Sequence, residues 1–373
     1  MKPVIGVLRY LCVAVCSILL LGCPNRIDVA RSGEHAGMMV LSMVPVGPAF
    51  DREDIQVGDY ELYIGSLDGS GLQRLTWNDA ADTQPDWSLD SSKIVYLHEE
   101  TLLDEDGKER STTFLAVYDF EWEGSFLFET NEVEFGGGSY PDFGPNDTIV
   151  ASTGDGGLVL VRYDQGAFVN RRALYEGEDA YFPVWSPGGD WIAFNDDLER
   201  IGAIDRRGRN VVFADPESLV GSLDELTTYR PIWVSSTRLW FTGCSCEESD
   251  VTSYIFSFDV VDERTEVVAA VEGLEFGHPS LSPDGRHLVG LVSRDEDQEE
   301  MELVAFHVQE KRFSSFFSGR SWIEKRWPMP VWSLDGSEVM IWDEGSFVML
   351  SPWGTFLSSY YLGNLVYRTN YVE

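Results

Sequence analysis

One short segment is written six times along this 373-residue chain, and that recurrence constrains the fold more than any other feature. Each copy has a proline, an aromatic residue or leucine two positions later, a turn, and a run rich in β-branched and aromatic residues. The first full copy is PDWSLDSSKIVYL, and the six prolines are Pro85, Pro141, Pro183, Pro231, Pro279 and Pro330. A period of about 49 residues is typical of architectures that repeat one supersecondary unit.

The sequence between the copies predicts short antiparallel strands. Apolar runs of about five to seven residues, such as RIGAID and ELVAFHV, are bounded by Gly, Asp and Asn. No long segment has helical periodicity. Four strands per repeat, arranged radially, protect sheet edges in the way that a β-propeller does. The pattern therefore predicts an all-β chain with a β-propeller of four-stranded antiparallel blades over residues 38–373.

The number of blades follows from the sets of strands. Three predicted strands follow each of the six copies, and a seventh set (MMVLSMV, ELYIGSL and LQRLT) precedes the first copy without an inner strand of its own. This favours seven blades, with six as the alternative. The missing strand would come from the last residues, NLVYRTNYVE, so that pairing of the chain termini closes the ring, or from RIDVARSG near the start.

The repeated segment itself is predicted to be scaffolding. Trp87, Trp185, Trp233 and Trp332 would pack between neighbouring blades, where each ring buries a large apolar area. Ser88 and Asp90 would form a turn that recurs in most blades, which removes Ser88 as a catalytic candidate.

The copies resemble the TolB-type propeller repeat, related to WD-repeat-like blades, whose hallmark is a Pro-x-Trp-Ser-Pro-Asp-Gly turn followed by a strand. ELYIGSLDGSGLQRLT also resembles the third and fourth strands of such a blade. The resemblance covers nearly all of the chain after residue 38, although TolB propellers have six blades. It implies a noncatalytic scaffold that binds other proteins of the bacterial envelope.

The first 22 residues have the layout of an export signal. Lys2 and Arg9 precede an uncharged run of about a dozen residues that ends at Cys23. The sequence LLGC resembles the lipobox of bacterial lipoproteins, which implies cleavage before Cys23 and its lipidation, with residues 23–37 as a linker. Pro24, in place of the aspartate that retains lipoproteins in the inner membrane, implies an outer-membrane anchor facing the periplasm. A plain signal peptide is the alternative.

The formal net charge of -36 comes from 63 acidic and 27 basic residues. Such a surface repels nucleic acid and anionic lipid headgroups, so membrane contact is expected through the lipid anchor alone. The predicted loops between second and third strands hold about 24 carboxylates against roughly five basic residues. These loops are either solvated hairpins or a docking surface for a basic partner. A weak calcium site at Asp104 and Asp106 is a further alternative, without the full spacing of a calcium-binding hand.

Residues just before each motif proline are predicted to ring the mouth of the central channel, where they could bind a peptide, a glycan or another small molecule. These candidates are Gln84, Tyr140, Phe182, Arg230, His278 and Met329. An enzyme, such as a polysaccharide lyase or hydrolase, is the competing class. It would require His278, Arg230 and several carboxylates to converge in the channel.

The sequence indicates neither a metal centre nor a cofactor beyond the weak calcium alternative. The histidines at 35, 98, 278, 287 and 307 show no ligand spacing along the chain. Cys244 and Cys246 lie in one acidic loop, and an oxidising compartment would favour a short-range disulfide between them, despite the strain of that separation.

Overall fold

The strands of this protein form seven separate antiparallel sheets, one for each blade of a propeller. The computed structural model describes residues 28–43, 60–103, 109–128, 135, 139–177, 179–196, 200–220, 226–228, 230–245, 252–272, 275–293, 301–315, 330–343 and 346–361. The predicted all-β fold and the predicted seven blades are confirmed.

Blades 1 to 4 each contain four strands, which follow chain order from the inner strand outwards. Blade 1 consists of β1 Asp28–Val29, β2 Met38–Met43, β3 Glu61–Ser66 and β4 Gln73–Arg74. Blade 2 consists of β5 Ala81–Trp87, β6 Lys93–Leu103, β7 Glu109–Asp119 and β8 Gly124–Phe128. Blade 3 consists of β9 Asp142–Phe143, β10 Thr148–Ser152, β11 Leu158–Asp164 and β12 Ala167–Tyr175. Blade 4 consists of β13 Ala180–Trp185, β14 Trp191–Asp196, β15 Arg200–Asp205 and β16 Val211–Phe213.

Blade 5 has an inner strand in two pieces, both of which pair with the same neighbour. It consists of β17 Leu226–Thr228, β18 Ile232–Trp233, β19 Arg238–Ser245, β20 Thr252–Asp259 and β21 Arg264–Glu272. Blade 6 consists of β22 Glu275–Leu281, β23 His287–Ser293, β24 Met301–His307 and β25 Arg312–Ser315. Blade 7 consists of β26 Val331–Trp332, β27 Val339–Asp343, β28 Ser346–Leu350 and β29 Phe356–Tyr361. Two single turns of helix, at Pro145–Asp147 and Glu217–Val220, lie between strands.

The described strands correct the expected closure by pairing of the two chain ends. β1 pairs with β2, with Asp28 opposite Val40, so blade 1 takes its inner strand from RIDVARSG. The propeller therefore begins inside the segment 23–37, for which the sequence predicts a linker. Blade 1 meets blade 7 by side-chain packing, in which Leu41 belongs to the same apolar cluster as Phe347. Residues 364–373, the other source considered, lie outside the described residues.

Apolar side chains alternate along each middle strand, so that successive residues contact the blades on either side. In β6, Ile94 and Tyr96 join a cluster with blade 1, whereas Val95 and Leu97 join a cluster with blade 3. This alternation is the period of two that a strand buried on both faces requires. The core consequently lies between blades.

Carboxylates bond the inner strands of the first four blades to one another. The Oδ2 atoms of three aspartates each accept a hydrogen bond from a backbone N–H of the next blade. The bonds join Asp28 to Trp87 at 2.9 Å, Asp86 to Phe143 at 2.8 Å, and Asp142 to Trp185 at 2.9 Å. Two of these aspartates, Asp86 and Asp142, directly follow a motif proline. An acidic residue at that position is therefore a sequence signal for this bond.

Indole groups make the corresponding connection in later blades. Trp233 Nε1 donates to the Val184 carbonyl oxygen at 3.0 Å, and Trp332 Nε1 donates to the Ser280 carbonyl oxygen at 3.1 Å. The predicted packing of motif tryptophans between blades is confirmed, since each ring joins an apolar cluster shared by two blades.

The serine of the motif is a turn residue, as predicted. Ser88 Oγ donates to Asp90 Oδ1 at 2.8 Å and accepts from the Lys93 backbone N–H at 3.0 Å. The same pair of bonds forms around Ser282 and Ser333. Recurrence in three blades identifies a structural unit.

In the part of the chain that the structure describes, none of the helices has the length and apolar character needed to cross a membrane.

Replacing Asp86 with alanine should lower the free energy of unfolding by about 1–3 kcal/mol, because the buried N–H of Phe143 loses its acceptor. Urea unfolding would measure the change. Asp164→Ala is the matched control, since Asp164 is exposed and forms a surface ion pair with Arg162, worth less than about 1 kcal/mol. Equal losses in the two variants would contradict a structural role for the carboxylate bond between blades.

Candidate functional site

The two faces of the propeller carry different loops. Loops between second and third strands and the connections into each inner strand share one side, which we name the upper face. Turns that join first to second and third to fourth strands share the lower face.

Three of the predicted channel residues lie side by side on blades 2, 3 and 4. The backbone N–H of Tyr140 donates to Gln84 Oε1 at 2.8 Å, and the rings of Tyr140 and Phe182 have centroids 4.3 Å apart. The exposed fractions of Gln84, Tyr140 and Phe182 are 1%, 3% and 7%. These side chains therefore cover one another, and ligand binding by them stays a prediction.

The backbone of the same three residues is unusual. Their φ angles are +53° at Gln84, +34° at Tyr140 and +51° at Phe182, in the left-handed region that side chains disfavour. At Gln84 and Phe182 the strand register shifts, which marks a β-bulge just before the motif proline. Because the feature recurs in neighbouring blades, we attribute it to the repeat: the bulge redirects a side chain toward the next blade.

The other predicted site residues are only partly within the described structure. Arg230 is half-buried, and the backbone of His278 lies in β22. The side chain of His278 and the whole of Met329 lie outside the described residues, as do Cys23, Asp104 and Asp106. The convergence that an enzyme would require, together with lipidation and calcium binding, stays a prediction.

Cys244 is fully buried at the end of β19, where it packs in a cluster with Tyr140 and Phe182. Cys246 lies outside the described residues, so a disulfide between the two stays a prediction.

A group that the sequence analysis missed lies on the upper face, where blade 1 meets blade 2. His98 and Asp82 are cross-strand partners on β6 and β5, and both are buried. His98 Nδ1 lies 2.6 Å from Asp82 Oδ1, and His98 Nε2 lies 3.2 Å from Glu100 Oε1. The imidazole is thus held between two carboxylates.

Blade 1 and the connection to blade 2 hold Asp82 in place. Ser42 Oγ donates to the Asp82 carbonyl oxygen at 2.5 Å, and Asn78 Nδ2 donates to Asp82 Oδ2 at 2.8 Å. The backbone N–H of Asp82 donates to the Tyr60 carbonyl oxygen at 2.8 Å. The buried carboxylate therefore has the partners that offset the cost of removing it from water.

An exposed tryptophan stands at the outer edge of this group. Arg74 lies with its guanidinium 4.0 Å from the ring centroid of Trp77, and its Nη2 lies 2.5 Å from Glu61 Oε1. The backbone N–H of Asn78 donates to the same Glu61 oxygen at 2.9 Å. Trp77 is 75% exposed, so one side of the indole faces solvent on a rigid cationic support. We name Glu61, Arg74, Trp77, Asn78, Asp82, His98 and Glu100 the blade 1–2 rim.

The electrostatics of the rim favour a positively charged His98. Burial lowers the pKa of His98, but hydrogen bonds and charge from Asp82 and then Glu100 outweigh it, so the pKa is raised above 6.5. Burial and the charge of Asp82 raise the pKa of Tyr96 well above its ordinary value of 10.0. With His98 protonated, the rim holds three carboxylates (Glu61, Asp82 and Glu100) against two cations (Arg74 and His98).

The hydrogen bonds at the rim show which groups are placed for proton transfer. Both ring nitrogens of His98 face carboxylates, and the hydroxyl of Ser42 is directed to a backbone oxygen, so the geometry does not pair that serine with a base. Within the described ranges, no group of three or more His, Cys, Asp or Glu side chains is arranged to hold a metal ion.

A sequence signal for the rim exists, but it requires strand register. Asp82 lies eight residues before Asp90 in the turn and His98 lies eight residues after it, and such positions face each other across a hairpin. Separation along the chain alone gives no recognisable motif.

No protein-family model matches the sequence, and a search of curated proteins finds no match. Solved structures show similarity in fold. Oligogalacturonate lyase from Vibrio parahaemolyticus superposes with a TM-score of 0.58 at 12% identity, over 89% of this chain and 89% of that one. The β-propeller domain of Cps50 (Swd1) from Myceliophteria thermophila gives a TM-score of 0.56 at 12% identity, over 87% and 94%.

TolB from Acinetobacter baumannii is also among the similar structures, with a TM-score of 0.46 and 12% identity, over 87% of this chain and 63% of that one. The structures with a TM-score above 0.5 thus include an oligogalacturonate lyase and the β-propeller domain of Cps50 (Swd1). At such identity a shared fold does not carry a shared activity.

Replacing His98 with glutamine should lower stability by about 1–3 kcal/mol at low pH. The folded-state pKa of His98 is raised, so its contribution is full below the unfolded value of 6.5 and is lost as the pH rises through the folded-state pKa. Urea unfolding of both proteins between pH 5.5 and 9 should show a difference that shrinks with rising pH. A constant or growing difference would contradict an imidazolium held by Asp82 and Glu100.

Proposed function

We propose that this protein is a noncatalytic binding propeller of the bacterial envelope, tethered through a lipid on Cys23, and that its blade 1–2 rim binds a basic segment of a partner protein. The observation that carries the binding site is the exposed ring of Trp77, which lies against Arg74, and Arg74 in turn is paired with Glu61. A flat aromatic surface beside negative charge suits a lysine or arginine side chain.

Charge supports a basic partner. The side chain of Glu100 is 37% exposed, and Asp79 is exposed two residues after Trp77, so both carboxylates can be reached from solvent. The sequence predicts an excess of carboxylates in the loops between second and third strands, and the whole chain has a net charge of -36. Such a field speeds the approach of cations and slows that of anions, including acidic polysaccharides.

Neutral glycans are the second candidate for the same surface, because an exposed indole can also stack on a sugar ring. The fold similarity to oligogalacturonate lyase does not favour this candidate, and the negative charge opposes a polyuronate ligand.

A titration with defined ligands tests the rim. We expect an oligolysine peptide to bind more tightly than an uncharged peptide of equal length, and Trp77→Ala to weaken its binding about three- to tenfold through loss of the cation–π contact. Trp122→Ala is the matched control, because Trp122 is an exposed tryptophan in a lower-face turn. Equal weakening in both variants, or preference for a neutral oligosaccharide, would overturn the assignment of a basic partner.

A second experiment concerns partners in the cell. Recovery of proteins from solubilised envelopes, with the parent chain and with a Trp77→Ala, Glu100→Gln variant, should show a basic partner captured by the parent and lost with the variant. Equal recovery of partner proteins with the parent chain and the variant would show that the rim does not contribute to partner recognition.

The lipid anchor is tested separately. Replacing Cys23 with serine should move the protein from the membrane fraction to the soluble fraction, because acylation requires the cysteine sulfur. Fractionation of cells that express each form measures this outcome. Continued association with membranes would exclude lipidation as the main tether.

A further inference from the structure

Two histidines lie opposite each other at the lower end of blade 6. His287 begins β23, His307 ends β24, and the two residues are cross-strand partners. The next pair outward is hydrogen-bonded, since the Val308 N–H donates to the Arg286 carbonyl oxygen at 2.9 Å. Pairs alternate in an antiparallel ladder, so the histidines form a non-hydrogen-bonded pair, whose side chains approach most closely. Their ring centroids are 5.1 Å apart.

The pair lies where blade 6 meets blade 7. The ring of His287 stacks on Trp332 with centroids 6.4 Å apart and meets the ring of Trp353 edge-on at 5.6 Å. Trp353 belongs to a lower-face turn and is 71% exposed, whereas both histidines are half-buried. Solvent can therefore reach a niche with two imidazoles on one side and indole rings on the other.

Hydrogen bonding leaves nitrogen atoms available for a ligand. His307 Nε2 lies 2.7 Å from Ser314 Oγ, and a proton on that nitrogen leaves Nδ1 with its lone pair. Among the residues that the structure describes, the ring of His287 contacts aromatic rings and forms no hydrogen bond. A hydrogen bond from the distal nitrogen of a histidine is the arrangement that orients imidazoles at metal centres.

We propose that His287 and His307 form a site for a divalent transition-metal ion such as Zn²⁺, Ni²⁺ or Cu²⁺. Imidazole nitrogens suit these ions, with metal–nitrogen distances of about 2.0–2.1 Å for zinc, whereas Ca²⁺ prefers oxygen ligands. Rings 5.1 Å apart can direct one nitrogen each to a shared ion after small rotations. Water completes the coordination, and Ser314 is a positioning residue for His307.

The carboxylate of Glu310 is a reserve ligand on the adjoining turn. It is paired with Arg312, which follows it after one residue. Release from that pair would allow Glu310 to join the ion, and Arg312→Gln should then strengthen binding.

Tryptophan fluorescence offers a direct measurement, because bound Cu²⁺ or Ni²⁺ quenches nearby indoles. The protein, prepared without a polyhistidine tag, would be titrated with Ni²⁺ in excess Ca²⁺, so that the acidic surface is occupied. We expect saturable quenching at one ion per chain. His287→Gln and His307→Gln should each weaken binding at least about tenfold, and Ser314→Ala about 10–100-fold. Trp353→Phe should reduce the amplitude of quenching and leave the affinity unchanged.

His35→Gln is the matched control, because His35 also stacks on a motif tryptophan at the lower face but has no histidine opposite. Circular dichroism and thermal unfolding would show that each variant keeps its fold. Quenching that survives in the His287→Gln, His307→Gln double variant, or that excess Ca²⁺ abolishes, would overturn the proposal.

Discussion

The ring depends on bonds that run from one blade to the next, because several innermost strands are too short to be held by their own ladder. The strands β1, β9, β18 and β26 have two residues each. Every one of them contains a side chain that bonds to the backbone of a neighbouring blade: Asp28, Asp142, Trp233 and Trp332, respectively. A buried N–H or carbonyl group without a hydrogen-bond partner destabilises the fold by as much as several surface contacts stabilise it. These bonds therefore hold each sheet against its neighbour in the ring.

The junction between blades 1 and 2 also depends on buried polar groups that bond to the neighbouring blade. Blade 1 lacks the motif proline and tryptophan, and the bond from Asp28 is joined there by the network around Asp82 and His98. Groups so deeply buried are stable only when fully paired, and here the pairing draws on both blades. The exposed indole of Trp77 is consequently presented on a rigid base, which limits the entropy lost when a ligand is bound.

Much of the fold was predictable because the repeat is regular. Proline, tryptophan and turn residues recur in phase, and each has one structural use, so seven blades and the packing of the tryptophans followed from the sequence. The inner strand of blade 1 has only the aspartate of the motif. The sequence therefore did not distinguish RIDVARSG from the last residues of the chain as the source of that strand. Two residues that face each other across a hairpin are separated in sequence by twice their distance to the turn. Neither histidine site therefore forms a short motif that spacing along the chain could predict. Asp82 and His98, like His287 and His307, meet only once strand register is known.

The two histidine sites show how neighbours decide the chemistry of one residue type. Both ring nitrogens of His98 lie within hydrogen-bond distance of carboxylates, which leaves neither nitrogen for a metal ion and leaves the surroundings suited to cationic ligands. His287 and His307 instead lie beside indole rings, and His307 contacts a serine hydroxyl through Nε2. The first site is on the upper face and the second on the lower face, at junctions that share no blade. A basic partner and a metal ion would therefore bind without contact, and the net charge of -36 would favour both.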